Sequence, residues 1–389
     1  MNSPKRIYLD FNATAPVAPP VMEILKQEGW AYGNPSSVHA LGKKARRLVN
    51  EVREFLFDCF GLSEEKFNLF FHSGATEGIN TIIKGLALQC LKEQKSFSFY
   101  CLESDHSCVN NQQEFIELLG FSFKALPVSR NGELDVEAFE KIISTDSSDQ
   151  KVLNWTWVNN ETGVVNSLKQ VCEIKKRFDL FVHVDGVQAP GKIEEWRVLA
   201  PELDSYTFSG HKFGALKGSG FSFIKENILL LPLLNGGGQQ LGIRSGTENT
   251  WGIFSIKEAL NYLILNYNFS EQSKAKSILE NKIIELIGNR GEIIGIANPS
   301  RNGNTIDLLL YGIKAHTSAM VFDMDGIDLS NGSACSSGAV IASRVLLSMG
   351  YDEDQAKSAL RISLSPYFSN VEEQGLWPNL KKVLERLLS

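Results

Sequence analysis

The sequence predicts an α/β protein: a mainly parallel sheet covered by helices on both faces, followed by a second, smaller α+β domain. Three observations carry this. From about residue 68 to 225, short apolar runs alternate with longer amphipathic ones, the pattern of βαβ units. A glycine-rich segment, residues 235–246, then interrupts the alternation. After Trp251 the pattern changes to long helical stretches with few strand signals.

In chain order, Ile7-Tyr8-Leu9 is strand-like and residues 68–73 form a buried strand. A helix is expected over 76–92, a strand over 97–102, a helix over 110–119 and a strand over 121–128. Arg130-Asn131-Gly132 marks a turn. Strands at 152–158 and 181–185 flank a helix at 167–178, and residues 204–208 supply another strand. One long helical stretch runs from Trp251 to about Ile287. A loop spans 330–338, helical patterns cover 339–349 and 371–388, and an alternating strand surrounds Arg361.

Bulk properties narrow the function. The chain has 389 residues, enough for roughly two or three domains. Lysine and arginine total 39 against 45 acids, a net charge of −6 that gives no reason to expect nucleic acid or an anionic membrane as partner. The start lacks the apolar run of a signal peptide and no stretch is long enough to span a bilayer, so a cytoplasmic location is expected. The six cysteines (Cys59, Cys90, Cys101, Cys108, Cys172 and Cys335) contain no Cys-x-x-Cys pair and are expected as free thiols. Cys101, His106 and Cys108 lie close together, but they make a poor zinc set and no metal site is expected.

Chemistry-bearing residues gather where strands end, the place where open α/β sheets bind ligands. Lys212, in Ser209-Gly210-His211-Lys212, follows a strand and can project into a pocket, although a lone lysine is usually a surface charge. Asp185 closes an apolar strand, where a carboxylate is costly unless paired. A pyridinium nitrogen is one such partner and a helix N-cap role is the other. Gln188 and Asn160 are placed to reach a phenolate oxygen on the same ring. Ser73-Gly74-Ala75-Thr76-Glu77 lies between strand and helix, either as a phosphate cup or as a plain capping box. It is no P-loop, and Gly236-Gly237-Gly238 is no dinucleotide fingerprint. His106 follows a strand and could stack on a flat ring. Cys335 sits among small and polar residues, as a reactive loop thiol would. Arg361 is either a clamp for a substrate carboxylate or an ordinary edge-strand arginine. Together these residues point to a pyridoxal-phosphate (PLP) enzyme with Lys212 as its Schiff-base lysine.

The chain resembles cysteine desulfurases of the NifS/IscS type, in the aminotransferase class V group of fold type I PLP-dependent transferases. The matching stretches run almost end to end. Among them are Tyr8-Leu9-Asp10-Phe11-Asn12-Ala13-Thr14-Ala15-Pro16, Gly33-Asn34-Pro35-Ser36-Ser37, Arg244-Ser245-Gly246-Thr247-Glu248-Asn249 and Gly332-Ser333-Ala334-Cys335. The resemblance implies a seven-stranded large domain over residues 16–254, with a small domain formed by 1–15 and 255–389. It implies that Lys212 bonds the cofactor, His106 stacks on its ring, Asp185 holds the ring nitrogen, and Gln188 and Asn160 lie near the phenolate oxygen. Ala75, Thr76, Ser209 and His211 would hold the phosphate. Thr247 would reach the phosphate of a neighbouring subunit in a homodimer with shared active sites. Asn34 and Arg361 would bind the carboxylate of L-cysteine. Cys335 would take the sulfur as a persulfide, leaving alanine, and pass it to an acceptor protein.

Departures from the family pattern are local: Ser365, Asn235, Gly78 and the bulky Trp155 and Trp157. The chain ends at Ser389, where housekeeping relatives continue into a tail that docks the iron–sulfur scaffold, which puts the usual scaffold partner in doubt. An iron–sulfur scaffold, a tRNA-thiolation relay and a DNA-modification system all remain compatible. The competing expectations are a selenocysteine lyase, a class V aminotransferase, or an inactive homologue serving as a binding platform.

Overall fold

The computed structural model describes residues 6–27, 32–331 and 341–389. In chain order its strands are β1 (Ile7–Tyr8), β2 (Phe67–His72), β3 (Phe97–Leu102), β4 (Ser122–Leu126), β5 (Gln150–Thr156), β6 (Phe181–Asp185), β7 (Ser205–Ser209), β8 (Gly220–Lys225), β9 (Gly291–Ile293), β10 (Thr305–Leu310), β11 (Ile327–Asp328), β12 (Ser330–Asn331) and β13 (Ala359–Ser363). Seven of them form one sheet in the order β2-β8-β7-β6-β5-β3-β4. All neighbours are parallel except β8, which runs against both β2 and β7. Because two reversals restore direction, β2 points the same way as the parallel strands. The carboxyl ends of β2, β3, β5, β6 and β7 therefore open on one edge.

Burial on both faces explains why these strands read as continuous apolar runs. β3 and β7 are buried at every position. On one face, Phe60 packs against Trp196, Phe208, Phe221 and Phe223. It closes the helix Ala40–Phe60, which buries Ala45, Val49, Val52, Leu56 and Phe60 at helical spacing and stops at Gly61, φ +64°. On the other face lies the helix Ala75–Lys92, burying Ile79, Ile82, Ile83 and Leu86.

The smaller part is an antiparallel sheet, β12-β13-β10-β9, backed by the helices Phe269–Ile287 and Asn370–Leu388. β1 pairs in parallel with β11, and Asp10 bridges to Ser363 at the end of β13. The stretch after it crosses to the large sheet, where the Ala15 N–H donates to the His211 carbonyl. The N-terminal strap thus lies across the seam between the two parts.

The structure changes several expected elements. The single helix after Trp251 is two, Thr250–Asn266 and Phe269–Ile287. Tyr267 is extended between them, and the Asn268 side chain caps the second by accepting from the Glu271 N–H. The two halves serve different cores: Ile256, Leu260 and Leu263 join the large one, Leu279 and Ile283 the small one. The helix expected over 110–119 is likewise two short ones, Ser107–Asn110 and Gln113–Leu118. Asn110 breaks it by turning its amide back to the Asp105 carbonyl. The helical pattern over 339–349 yields Arg344–Ser348, capped by Ser343, with residues 339 and 340 outside the described part. β13 lies between β12 and β10, so Arg361 is no edge-strand residue.

Gly78 marks a tight contact. A Cβ there would stand 2.5 Å from His72 Nε2 and 2.8 Å from Ser222 Oγ. His72 is buried and bonded to Ser222 Oγ at 2.9 Å, so the ring cannot yield. Gly78→Ala is expected to lower unfolding free energy by about 1–3 kcal/mol, read from urea titrations. An unchanged midpoint would contradict the contact.

Candidate active site

At the carboxyl edge of the large sheet lies a cavity of about 750 Å³. Ala75, Thr76, His106, Asn160, Asp185, Gln188, Ser209, His211, Lys212 and Arg361 all line it. Residues far apart in sequence therefore converge on one space. Thr247 and Asn34 do not line it. Thr247 lies in an adjoining cleft with Ser73, Arg244 and Asn249. Asn34 is used locally, accepting the Ser36 N–H on its side-chain oxygen. Cys335 lies outside the described residues.

Lys212 leaves the end of β7 through a single 3-10 turn, Gly210–Lys212. Its Nζ donates to the carbonyls of Asn12, at 2.7 Å, and Ala13, at 2.9 Å. Burial, and then the Arg361 guanidinium, lower its pKa to about 8, while Asp10 and Asp185 pull the other way. An amine in this range supplies free base near neutral pH.

Asp185 ends β6 with its carboxyl buried, and no helix follows it. Instead Oδ1 accepts the Val187 N–H at 3.1 Å, closing a turn. Burial raises its pKa to about 6, against that hydrogen bond and Lys212. A buried carboxyl with no bonded cation suits a protonated ring nitrogen. Gln188 donates from Nε2 to the Asn12 carbonyl at 3.0 Å and accepts the Lys192 ammonium at Oε1.

His106 stands on the cavity wall and N-caps the helix Ser107–Asn110, its Nδ1 accepting the Cys108 N–H at 3.2 Å. Nε2 therefore carries the proton of the neutral ring. Surrounding protein, with Lys212 and Arg361, lowers its pKa. His211 is pushed down to about 4, first by burial and then by Lys212, and meets Thr14 Oγ1 at 3.2 Å.

The glycine-rich turn after β2 is only half a capping box. Gly74, the N-cap of the helix Ala75–Lys92, offers no side chain, so the first helical N–H groups face the cavity edge without a side-chain cap. Glu77 instead accepts the Ser73 N–H at 2.8 Å and Arg244 Nε at 2.6 Å. Arg361 reaches in from β13: Nη2 meets Asp10 Oδ1 at 3.0 Å and Nη1 the Asn160 carbonyl at 3.2 Å, while Nε is buried without a partner.

Asp10, Asn12, Cys108, Lys192 and Lys217 belong to or support the cavity but were not assigned roles from sequence. Asp10 and Asn12 do fall in the stretch Tyr8–Pro16 that resembles the family pattern. Lys192 falls in no such stretch.

Residues 7–374 match the family Aminotransferase class-V. The chain belongs to the aminotransferase class-V family. Cysteine desulfurase IscS of Clostridium botulinum is 32% identical over 374 residues, covering 95% of this chain and 91% of the relative. The NifS-like protein of Rickettsia africae superposes with a TM-score of 0.86 at 27% identity, covering 98% of this chain and all of that one. SspA, solved in complex with cysteine, gives 0.78 at 26% identity, covering 93% and 99%. The fold is that of fold type I PLP enzymes, and this family's members use pyridoxal phosphate. The cavity fits that group: uncapped helical N–H groups for its phosphate, the Asp185 carboxyl for its ring nitrogen and the Lys212 amine beside both.

Glu77 gives the class-V site a pH signature. Burial pushes its carboxyl up, but hydrogen bonds from Arg244 and Ser73 outweigh it and hold the pKa at about 2. A folded pKa below the unfolded value near 4.5 contributes stability that is complete above pH ~4.5 and lost as pH falls towards 2. Stability of Glu77→Gln should therefore fall less steeply than wild type between those values. Parallel urea-unfolding curves over that range would contradict the ion pair's contribution.

Proposed function

We propose that the chain is a cysteine desulfurase, taking sulfur from L-cysteine, releasing L-alanine and holding the sulfur on Cys335 as a persulfide for an acceptor protein. One observation carries this: Lys212, Asp185, His106 and Arg361 line a single cavity, with a depressed amine next to a carboxylate clamp. The relatives named above support sulfur chemistry over transamination, as does Cys335, since transamination needs no thiol.

Pyridoxal phosphate, when bound, supplies an electron sink for charge developing on the substrate carbon. The chain supplies the rest. Ala75, Thr76, Ser209 and His211 hold the phosphate end, and Asp185 keeps a proton at the ring nitrogen. Arg361, with Asn34 as a second expected contact, binds the substrate carboxylate through charge-assisted hydrogen bonds. Lys212, steadied by two carbonyls, accepts and returns the proton at the substrate Cα. The Cys335 thiolate attacks the substrate sulfur; an S–S bond forms, the C–S bond breaks, and the carbon takes a proton to become alanine's methyl group.

Thr247, beside the phosphate cup but outside the cavity, is proposed to complete a second subunit's site in a homodimer. An iron–sulfur scaffold, a thiolation relay and a DNA-modification system each fit as the acceptor. Among the described residues no helix is long and apolar enough to cross a membrane, and the described cysteines are free thiols, which supports a cytoplasmic location.

Incubation of purified protein with L-cysteine should yield alanine and a persulfide trapped on Cys335. Cys335→Ser should abolish both, and Lys212→Ala should lose the visible absorption of the bound cofactor. Alanine release unchanged in Cys335→Ser would overturn the desulfurase reading. Arg361→Ala should lower kcat/KM roughly 10- to 100-fold, the worth of one or two charge-assisted hydrogen bonds. An effect below twofold would remove Arg361 from the substrate site.

A further inference from the structure

Behind Gln188 lies a lysine that no sequence pattern singles out. Lys192 is 2% exposed, and its ammonium donates to Gln188 Oε1. Among the described residues it makes no ion pair; burial lowers its pKa, and the charged groups bearing on it, Lys212 and Arg361, are both cations that lower it further. Gly191 sets the turn, with φ +70° and a would-be Cβ only 2.8 Å from Leu263 Cδ1. The Lys192 carbonyl is fixed by the Gly303 N–H at 2.7 Å. The backbone is thus held while the side chain returns to Gln188.

The contact decides the orientation of an amide. Gln188 Nε2 donates at 3.0 Å to the Asn12 carbonyl, which also receives Lys212 Nζ. A carbonyl oxygen can only accept, so the amide nitrogen must face Asn12 and the amide oxygen Lys192. A flip would put two acceptors together at Asn12 and cost Gln188 Oε1 the N–H it accepts from Lys192 Nζ. The amide keeps one free donor, the second Nε2 hydrogen, on a side chain that lines the cavity. Burying a polar amine is costly, and an apolar side chain of the same volume would fill the space without that cost. Perturbed buried groups of this kind cluster at functional sites.

We propose that Lys192 is a positioning residue for the cofactor ring: it locks the Gln188 amide so that an N–H, not the carbonyl oxygen, is presented to the ring's phenolate oxygen. This rests on the PLP reading above and deepens it. A donor to the phenolate stabilises its anionic form and so favours loss of the proton shared beside it. Removing the donor must raise the titration midpoint of the bound chromophore.

The test is a pH titration of the visible absorption of purified holoenzyme for wild type, Lys192→Met, Gln188→Leu and the double variant, with Tm measured alongside. The midpoint should rise by roughly one pH unit in each single variant, and the double variant should rise no further than Gln188→Leu alone. A lysine that merely supports the fold would lower Tm and leave the midpoint in place, which overturns the proposal, as does an additive double variant. Lys192→Gln, whose amide still donates to Gln188, serves if the methionine variant does not hold cofactor. It should keep the wild-type midpoint, and a shift as large as in Gln188→Leu overturns the proposal. A wild-type protein without a visible band overturns the cofactor reading and this inference with it; a band indifferent to Lys192 overturns the inference alone.

Discussion

The site depends on Asn12, whose polar groups are engaged on both sides of the seam. Its carbonyl accepts Lys212 Nζ and Gln188 Nε2, both from the large sheet. Its side-chain nitrogen donates to the Asn160 carbonyl and Thr305 Oγ1, and its side-chain oxygen accepts Asn304 Nδ2. Its own N–H donates to Ser363 Oγ. A fully satisfied buried asparagine cannot be moved without orphaning several partners at once, each at a cost of about 1–3 kcal/mol. That makes the N-terminal strap a fixed reference against which Lys212, Gln188 and the strand carrying Arg361 are all set.

Charge around this hub is arranged to favour anions. Lys212 and Arg361 converge, and among the described residues the only carboxylate in ion-pair contact with either is Asp10, on Arg361. Asp185 bears on Lys212, while Asp307 and Glu161 lie near Arg361. Asp307, opposite Arg361 in the strand register, has neither oxygen bonded, and burial followed by Glu161 pushes its pKa well up. Glu161 is raised to about 7 by burial, against its hydrogen bond from Ser343. An acid whose pKa is raised in this way carries less negative charge near neutral pH and so cancels less of a neighbouring cation. A phosphate at one end of the cavity and a carboxylate at the other are thus both favoured, which is what an amino-acid substrate and a phosphorylated cofactor require.

Much of this was legible in sequence, for definite reasons. β3 and β6 fall on their expected limits because fully buried strands leave unmistakable apolar runs. Lys212, Asp185 and His106 are brought together because each stands at or shortly past a strand's carboxyl end, and the topology of parallel sheets dictates where strand ends meet. What escaped was non-local. The break at Tyr267 is invisible in a continuous helical pattern, since it arises from two cores claiming the two halves. The antiparallel β8 looks like any other apolar run until its partners are known. Lys192 reads as a surface charge, because only the folded turn at Gly191 buries it.

The phosphate cup shows how such long-range contacts combine. The helix Ala75–Lys92 starts without a side-chain cap, a weakness in an isolated helix. It is held from below by His72, neutral with a pKa lowered by burial to about 4, which bonds Ser222 Oγ and through it Thr207 Oγ1 at 2.7 Å. Gly78 lets the helix settle directly on that ring. From the side, Glu77 takes Arg244 of the segment that also carries Thr247. The first N–H groups are then free to face the cavity because the helix is anchored everywhere else. The same ion pair ties the segment carrying Arg244 and Thr247 to the start of this helix, so that segment and the uncapped helix end are positioned by a single contact.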